Sequence, residues 1–167
     1  MSLRIHLPEV SSATMRACGV YASGALYAAG FYLMLDTALW SAHKNPTDMH
    51  IGFVDWIPLV LVTLGMAIIN LVERSRLTSG MAFGYEYGGH GTWQARVVLF
   101  VGTAFLSGGG AGSVLILLLR YIIPDRSRPE IFMGFFNILS SILIMNSSTC
   151  LWLAQNVKDD YSYSLQH

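Results

Sequence analysis

The chain has 167 residues, of which 53% are apolar and only 12% charged, about half the charged share of an ordinary soluble domain. Ten basic and ten acidic side chains leave a formal net charge of zero, which excludes the basic surface that a nucleic-acid partner or a polybasic lipid anchor requires. The charges cluster between four long apolar runs instead of forming a polar stripe along each, so a water-soluble helical bundle is excluded as well.

Met1 to Arg16 is polar and mixed, and the apolar run from Ala17 to Leu35 is too long for the core of a cleaved signal peptide. It predicts a retained first span that reaches Trp40, an aromatic suited to the membrane interface. Ser41 to Asp55 reads as a connection, with Lys44, Asn45, Pro46 and Asp48 as its turn cluster. Trp56 and Pro58 open a second span that ends at Val72, the proline being placed where first-turn amides lack partners. The next connection, Glu73 to Arg96, is glycine- and aromatic-rich from Phe83 to Gly91, which predicts irregular backbone there. Trp93 and Arg96 lead as interface anchors into a third span, Val97 to Leu119. A connection from Arg120 to Glu130 precedes a fourth span, Ile131 to Leu153, and a polar tail closes the chain.

Runs of roughly 17 to 23 residues rise ~25 to 35 Å as helix, enough to cross a hydrocarbon core. The expectation is an all-α membrane protein: one compact bundle of four transmembrane helices over residues 1–167, with spans near 17–40, 54–72, 97–119 and 131–153. With both termini cytoplasmic, the inner segments hold Arg4, Arg16, Arg74, Arg76, Arg96 and Lys158, and the outer ones hold Lys44, Arg120, Arg126 and Arg128. That balance follows the positive-inside bias and favours this orientation. Cys18 and Cys150 then lie toward the same side, so disulfide geometry is possible, but two isolated thiols read as free cysteines, with palmitoylation at the boundary as the alternative.

Chemistry-bearing residues are sparse. Gly108 and Gly112 form a G-x-x-x-G pair within the glycine run of the third span, and the first span offers Gly19, Ser23, Gly24, Ala28 and Ala29. Small residues let helices approach where lipid removes the hydrophobic drive, so spans one and three are expected to pack together. A kink near Gly110 is the competing expectation. Asp36 is an acid inside an otherwise apolar stretch and needs a partner: a buried hydrogen bond or helix-terminal structural role is the first expectation, with a proton or cation role or contact with a partner protein as the alternatives. Asn70, Asn137 and Asn146 are amides able to bond between helices. Ser140, Ser141, Ser147, Ser148 and Thr149 are expected to return their protons to their own helix. His43, Asp48, His50 and Asp55 share a connection but match no metal-ligand spacing. No nucleophile–base pair or zincin helix is present, so neither an enzyme, a metal nor a cofactor is expected.

Three stretches carry a family resemblance: Gly30-Phe31-Tyr32-Leu33-Met34-Leu35-Asp36-Thr37-Ala38, Ile69-Asn70-Leu71-Val72, and Ala95-Arg96-Val97-Val98-Leu99-Phe100-Val101-Gly102. Taken in order, from Gly19 to Leu153, the chain resembles the transmembrane protein 50 family (uncharacterised protein family 0220), and its long first connection is closer to the fungal branch, vacuolar protein sorting-associated protein 68. The resemblance implies a non-enzymatic four-span protein of the endosomal system. It implies assembly with a second small four-span protein like vacuolar protein sorting-associated protein 55, supporting traffic from late endosome to vacuole. Animal members imply the endoplasmic reticulum and Golgi as further locations. Asp36, Asn70 and Arg96 carry over as motif positions without a catalytic role. Gly24, Ala28, Gly108, Gly112, Asn137 and Asn146 are the helix-packing or partner-facing candidates. A small transporter or channel, or a lipid-handling protein, stays open as the alternative.

Overall fold

A computed structural model describes residues 12–43, 50–71 and 89–155. Among these residues, four helices are long and apolar enough to cross a membrane. They are α1 (Ser12–His43), α2 (Phe53–Leu71), α3 (Gly89–Ile116) and α4 (Arg128–Gln155), with a π-helical turn (Leu117–Ile122) closing α3. The helices outrun the apolar stretches at several ends. α3 begins at Gly89, so Gly89 to Gly91 are helical where the sequence predicts irregular backbone. The turn at Lys44 to Asp48, the glycine-rich residues before Gly89, both chain termini, Arg4, Arg74, Arg76 and Lys158 lie outside the described residues.

Local chemistry sets the helix starts. Gly52 caps α2, and its amide donates to Asp55 Oδ2 at 2.8 Å while the Asp55 amide returns to the Gly52 carbonyl at 3.1 Å. Ser127 and Glu130 form the same reciprocal box at α4, the Ser127 amide donating to Glu130 Oε2 at 3.0 Å. Pro58 sits beyond the first turn of α2, because the helix starts at Phe53 and not at Trp56. The Val54 carbonyl therefore forgoes its usual i+4 donor. α3 runs unbroken through Gly110. Its irregularity comes later, where Ile123 donates to the Leu118 carbonyl at 2.9 Å and Arg126 to the Tyr121 carbonyl at 3.2 Å, both five residues back.

The helices associate as two antiparallel pairs, α1 with α4 and α2 with α3, and α4 bridges to α2 and α3. This corrects the pairing read from the sequence: spans one and three share no extensive contact. Gly24 and Gly108 have nothing within reach of a Cβ, so the small faces they mark look outward. Other glycines make the close approaches. A Cβ on Gly65 would stand 2.6 Å from the Leu106 amide nitrogen and 2.9 Å from the Gly102 carbonyl oxygen, and one on Gly30 would stand 2.9 Å from the Ser140 carbonyl oxygen. Each pair of helices is in contact backbone to backbone, as small residues permit in lipid.

The core holds Met34, Leu59, Val62 and Ile144. Around them the sorting is the reverse of a soluble protein: Ser23, Ser41, Ser113, Ser140, Ser141, Ser147 and Ser148 are buried, while Phe53, Leu71, Phe100 and Tyr21 are exposed. Lipid tails are as apolar as leucine, so polarity and not hydrophobicity decides which side chains turn inward. The serines also correct an expectation. Ser140 Oγ donates across to the Gly30 carbonyl at 2.6 Å and Ser147 Oγ to the Ser23 carbonyl at 2.8 Å, joining α4 to α1. Thr149 alone of that set shows the expected bond to its own helix, to the Met145 carbonyl at 3.1 Å.

Candidate functional site: a buried charge cluster and the outward polar residues

One end of the bundle gathers the ends of α1 and α3 and the starts of α2 and α4. Asp55 is 1% exposed there. Arg120 Nη1 lies 2.8 Å from Asp55 Oδ2, and Tyr121 Oη lies 3.5 Å from Oδ1. Arg120 Nη2 also donates to the His50 carbonyl at 3.0 Å. From the other side, Asn137 Nδ2 donates to the Asp55 backbone carbonyl at 2.8 Å. The π-helical turn widens α3 at Arg120 and Tyr121, the two residues it presents to α2. Tyr121 closes the cluster against α4, where a Cβ on Gly134 would stand 2.8 Å from the tyrosine ring.

A carboxylate this far from water needs both charge compensation and donors, and here it has both. The amide of Gly52, the guanidinium and the phenol take up its oxygens, so Asp55 joins α2 to α3 while Asn137 joins α2 to α4. The arrangement holds three helices in register. It presents no paired nucleophile and base: the carboxylate, guanidinium and phenol are engaged with one another, and the buried Asn137 Oδ1 is the cluster oxygen left without a partner. Nor do the described residues contain any group of three His, Cys, Asp or Glu able to hold a metal. Of the four loop residues weighed for metal, Asp55 belongs to this ion pair, His43 Nδ1 lies 3.2 Å from the Leu39 carbonyl of its own helix, and Asp48 is outside the described residues.

The residues singled out in the sequence disperse. Asn137 is buried in the cluster. Asn70 donates to the Met66 carbonyl one turn back at 2.8 Å, so its amide does not bridge helices, and its buried Oδ1 has no partner. Asn146 is exposed on α4, and Arg96 is exposed on α3. Asp36 is exposed and lines a pocket between α1 and α4. Gly112 faces α2, where a Cβ would meet Pro58 Cγ at 3.8 Å, and Ala28 is half-buried. Cys18 is exposed and Cys150 half-buried, both as free thiols. Sequence reasoning missed Arg120 and Tyr121 and considered Asp55 only as a metal ligand. A signal was available: Gly52-x-x-Asp55 and Ser127-x-x-Glu130 both have capping-box spacing.

The sequence matches known proteins along most of its length. The family model "Uncharacterised protein family (UPF0220)" matches residues 2–161. The chain is 45% identical to "Vacuolar protein sorting-associated protein 68" of Saccharomyces cerevisiae, covering 90% of this chain and 88% of that one. It is 40% identical to a UPF0220 protein of Schizosaccharomyces pombe over the same shares, 90% and 88%. A "Transmembrane protein 50 homolog" of Dictyostelium discoideum is 27% identical over 83% of this chain and 89% of that one. No solved structure matches.

Proposed function

The chain belongs to the uncharacterised protein family UPF0220, and from that premise we propose that it is a non-enzymatic membrane subunit of the endosomal sorting machinery. It supports protein traffic from late endosome to vacuole by assembling with another small four-span membrane protein, one like vacuolar protein sorting-associated protein 55. The similarity that carries this reading is the 45% identity to a protein named for vacuolar protein sorting, which extends over 90% of the chain. Both termini face the cytoplasm in this reading, and the Asp55–Arg120 cluster faces the lumen.

The outer surface supports assembly as the mode of action. On α3, Ala104, Ser107, Gly108 and Ala111 are exposed and share one face, and nothing lies within reach of a Cβ on Gly108. A partner helix approaches closely along such a face. Asn146 presents an outward amide on α4 with no hydrogen-bond partner among the described residues, which a helix from another chain would satisfy. Gly24 adds open small surface on α1. Gly112 and Asn137 are occupied by neighbours within the chain, so their part is internal packing.

The test is recovery of the companion in a mild-detergent pull-down of the full chain. Gly108→Leu fills the outward face without touching a neighbour, so the bundle stays folded while recovery falls by about tenfold, the equivalent of ~1.4 kcal/mol. Asn146→Leu removes one interhelical bond and lowers recovery by a smaller factor, in line with roughly 0.6 kcal/mol for such bonds. Undiminished recovery of the companion with both changes together contradicts assembly through this surface.

A further inference from the structure

A pocket of about 290 Å³ lies between α1 and α4 at the end that carries the charge cluster, lined by Asp36 and Trp40 from α1 and by Pro129, Phe132 and Phe136 from α4. Trp40, Phe132 and Phe136 are exposed, so the pocket opens sideways from the bundle. The hydroxyl in its described lining, Thr37 Oγ1, is spent on the Leu33 carbonyl at 2.7 Å. Asp36 has no hydrogen bond or ion pair with any described residue, and its carboxylate is the group left to meet a ligand.

Depth narrows the ligand. The Ser41 hydroxyl accepts from the Ile51 amide at 2.9 Å, which sets Ser41 level with the start of α2. Asp36 stands five residues nearer the middle of α1, about 7 Å below that level, within a helix long and apolar enough to cross a membrane. A carboxylate there requires a cation. Aromatic faces beside it are the surroundings that favour an ammonium group; the Phe132 and Phe136 rings are 6.5 Å apart at 32°. Among the described residues the lining contains no basic side chain to neutralise a phosphate. A phospholipid would have to bring its phosphate in with its ammonium. A lipid whose ammonium is borne directly on the alkyl chain, without an intervening phosphate, brings none.

We propose that the Asp36 pocket binds a long-chain primary amine of the sphingoid-base class, the ammonium paired with the carboxylate against Trp40, Phe132 and Phe136 and the chain lying outward along the α1–α4 seam. This pocket stands apart from the sorting role.

Titrating the purified full chain in detergent with sphingosine, and following Trp fluorescence, tests it. Sphingosine binds saturably, and ceramide, which has the same chain with its amine acylated, binds at least about tenfold more weakly, as does phosphatidylcholine; that factor is the least expected from losing a charge-assisted bond. Asp36→Asn weakens sphingosine binding by a similar factor while leaving elution volume and thermal stability unchanged, and Asp36→Glu retains it. A photoreactive sphingosine crosslinks to peptides from the start of α4 or the end of α1. Equal binding of ceramide or phosphatidylcholine, crosslinks confined to other helices, or an Asp36→Asn protein that binds as wild type overturns the proposal. So does loss of a companion protein on Asp36→Asn with amine binding intact, because the carboxylate would then serve a basic side chain of that companion.

Discussion

Arg120→Met lowers the stability of the bundle by about 3 kcal/mol, the low end of the range for removing one member of a buried ion pair. The carboxylate left behind is 1% exposed, whereas the Arg120 side chain keeps 28% of its surface. Deleting the cation therefore strands the costlier partner, softened only by the Gly52 amide and the Tyr121 hydroxyl. Asp55→Asn is milder. An asparagine oxygen still accepts from the Gly52 amide, and Arg120 keeps its bond to the His50 carbonyl and reaches toward the interface. The double variant loses less than the sum of the two, because neither charge is then left unpaired. Unfolding titrations in mixed micelles give all three values. An Arg120→Met protein within about 0.5 kcal/mol of wild type, the range of ordinary surface substitutions, shows that the pair is not a structural tie.

Gly65→Leu has an effect of comparable size for a different reason. The atoms that crowd a Cβ at this position belong to the backbone of α3, at Leu106 and Gly102, and cannot rotate aside as a side chain would. α2 and α3 must separate, which forfeits contacts along the whole seam, so the loss is at the upper end of the usual overpacking cost, about 3 kcal/mol. Gly24→Leu provides the contrast. With nothing within 4 Å of its Cβ position, it changes stability by less than about 0.5 kcal/mol. The same titrations compare the two. Equal losses for both glycines contradict the helix pairing described above.

The four spans were legible because burial in lipid demands long uncharged runs, and Ala17, Trp56, Val97 and Ile131 each open one of them. The pairing was not. A G-x-x-x-G spacing such as Gly108 to Gly112 says that a face is small, not which helix lies against it, and Gly108 itself faces outward. Gly65, isolated in an apolar run, carries no motif, yet it sits where the backbones of α2 and α3 come into contact. The Asp55–Arg120 tie was hidden in another way. Both residues lie at span ends, where charge is ordinarily read as solvated, and their meeting depends on a π-helical turn that no spacing rule announces. Ser140 and Ser147 were discounted for the same reason: a hydroxyl in a helix has a carbonyl one turn back, and only the neighbouring Gly30 and Ser23 carbonyls offer the alternative. The polar positions in the family-like stretches, Asp36, Asn70 and Arg96, were legible as residues but not in their surroundings. The bundle leaves Asp36 and Arg96 outward and the Asn70 oxygen unpartnered.

The sorting role and the outward face of α3 meet in one measurement: secretion of a soluble vacuolar hydrolase by cells whose own copy of this protein has been deleted. Deletion raises the secreted fraction, the wild-type chain returns it to the normal level, and a Gly108→Leu chain present in the same amount does not. A secreted fraction unmoved by the deletion, or fully restored by Gly108→Leu, contradicts a subunit that sorts by lateral assembly.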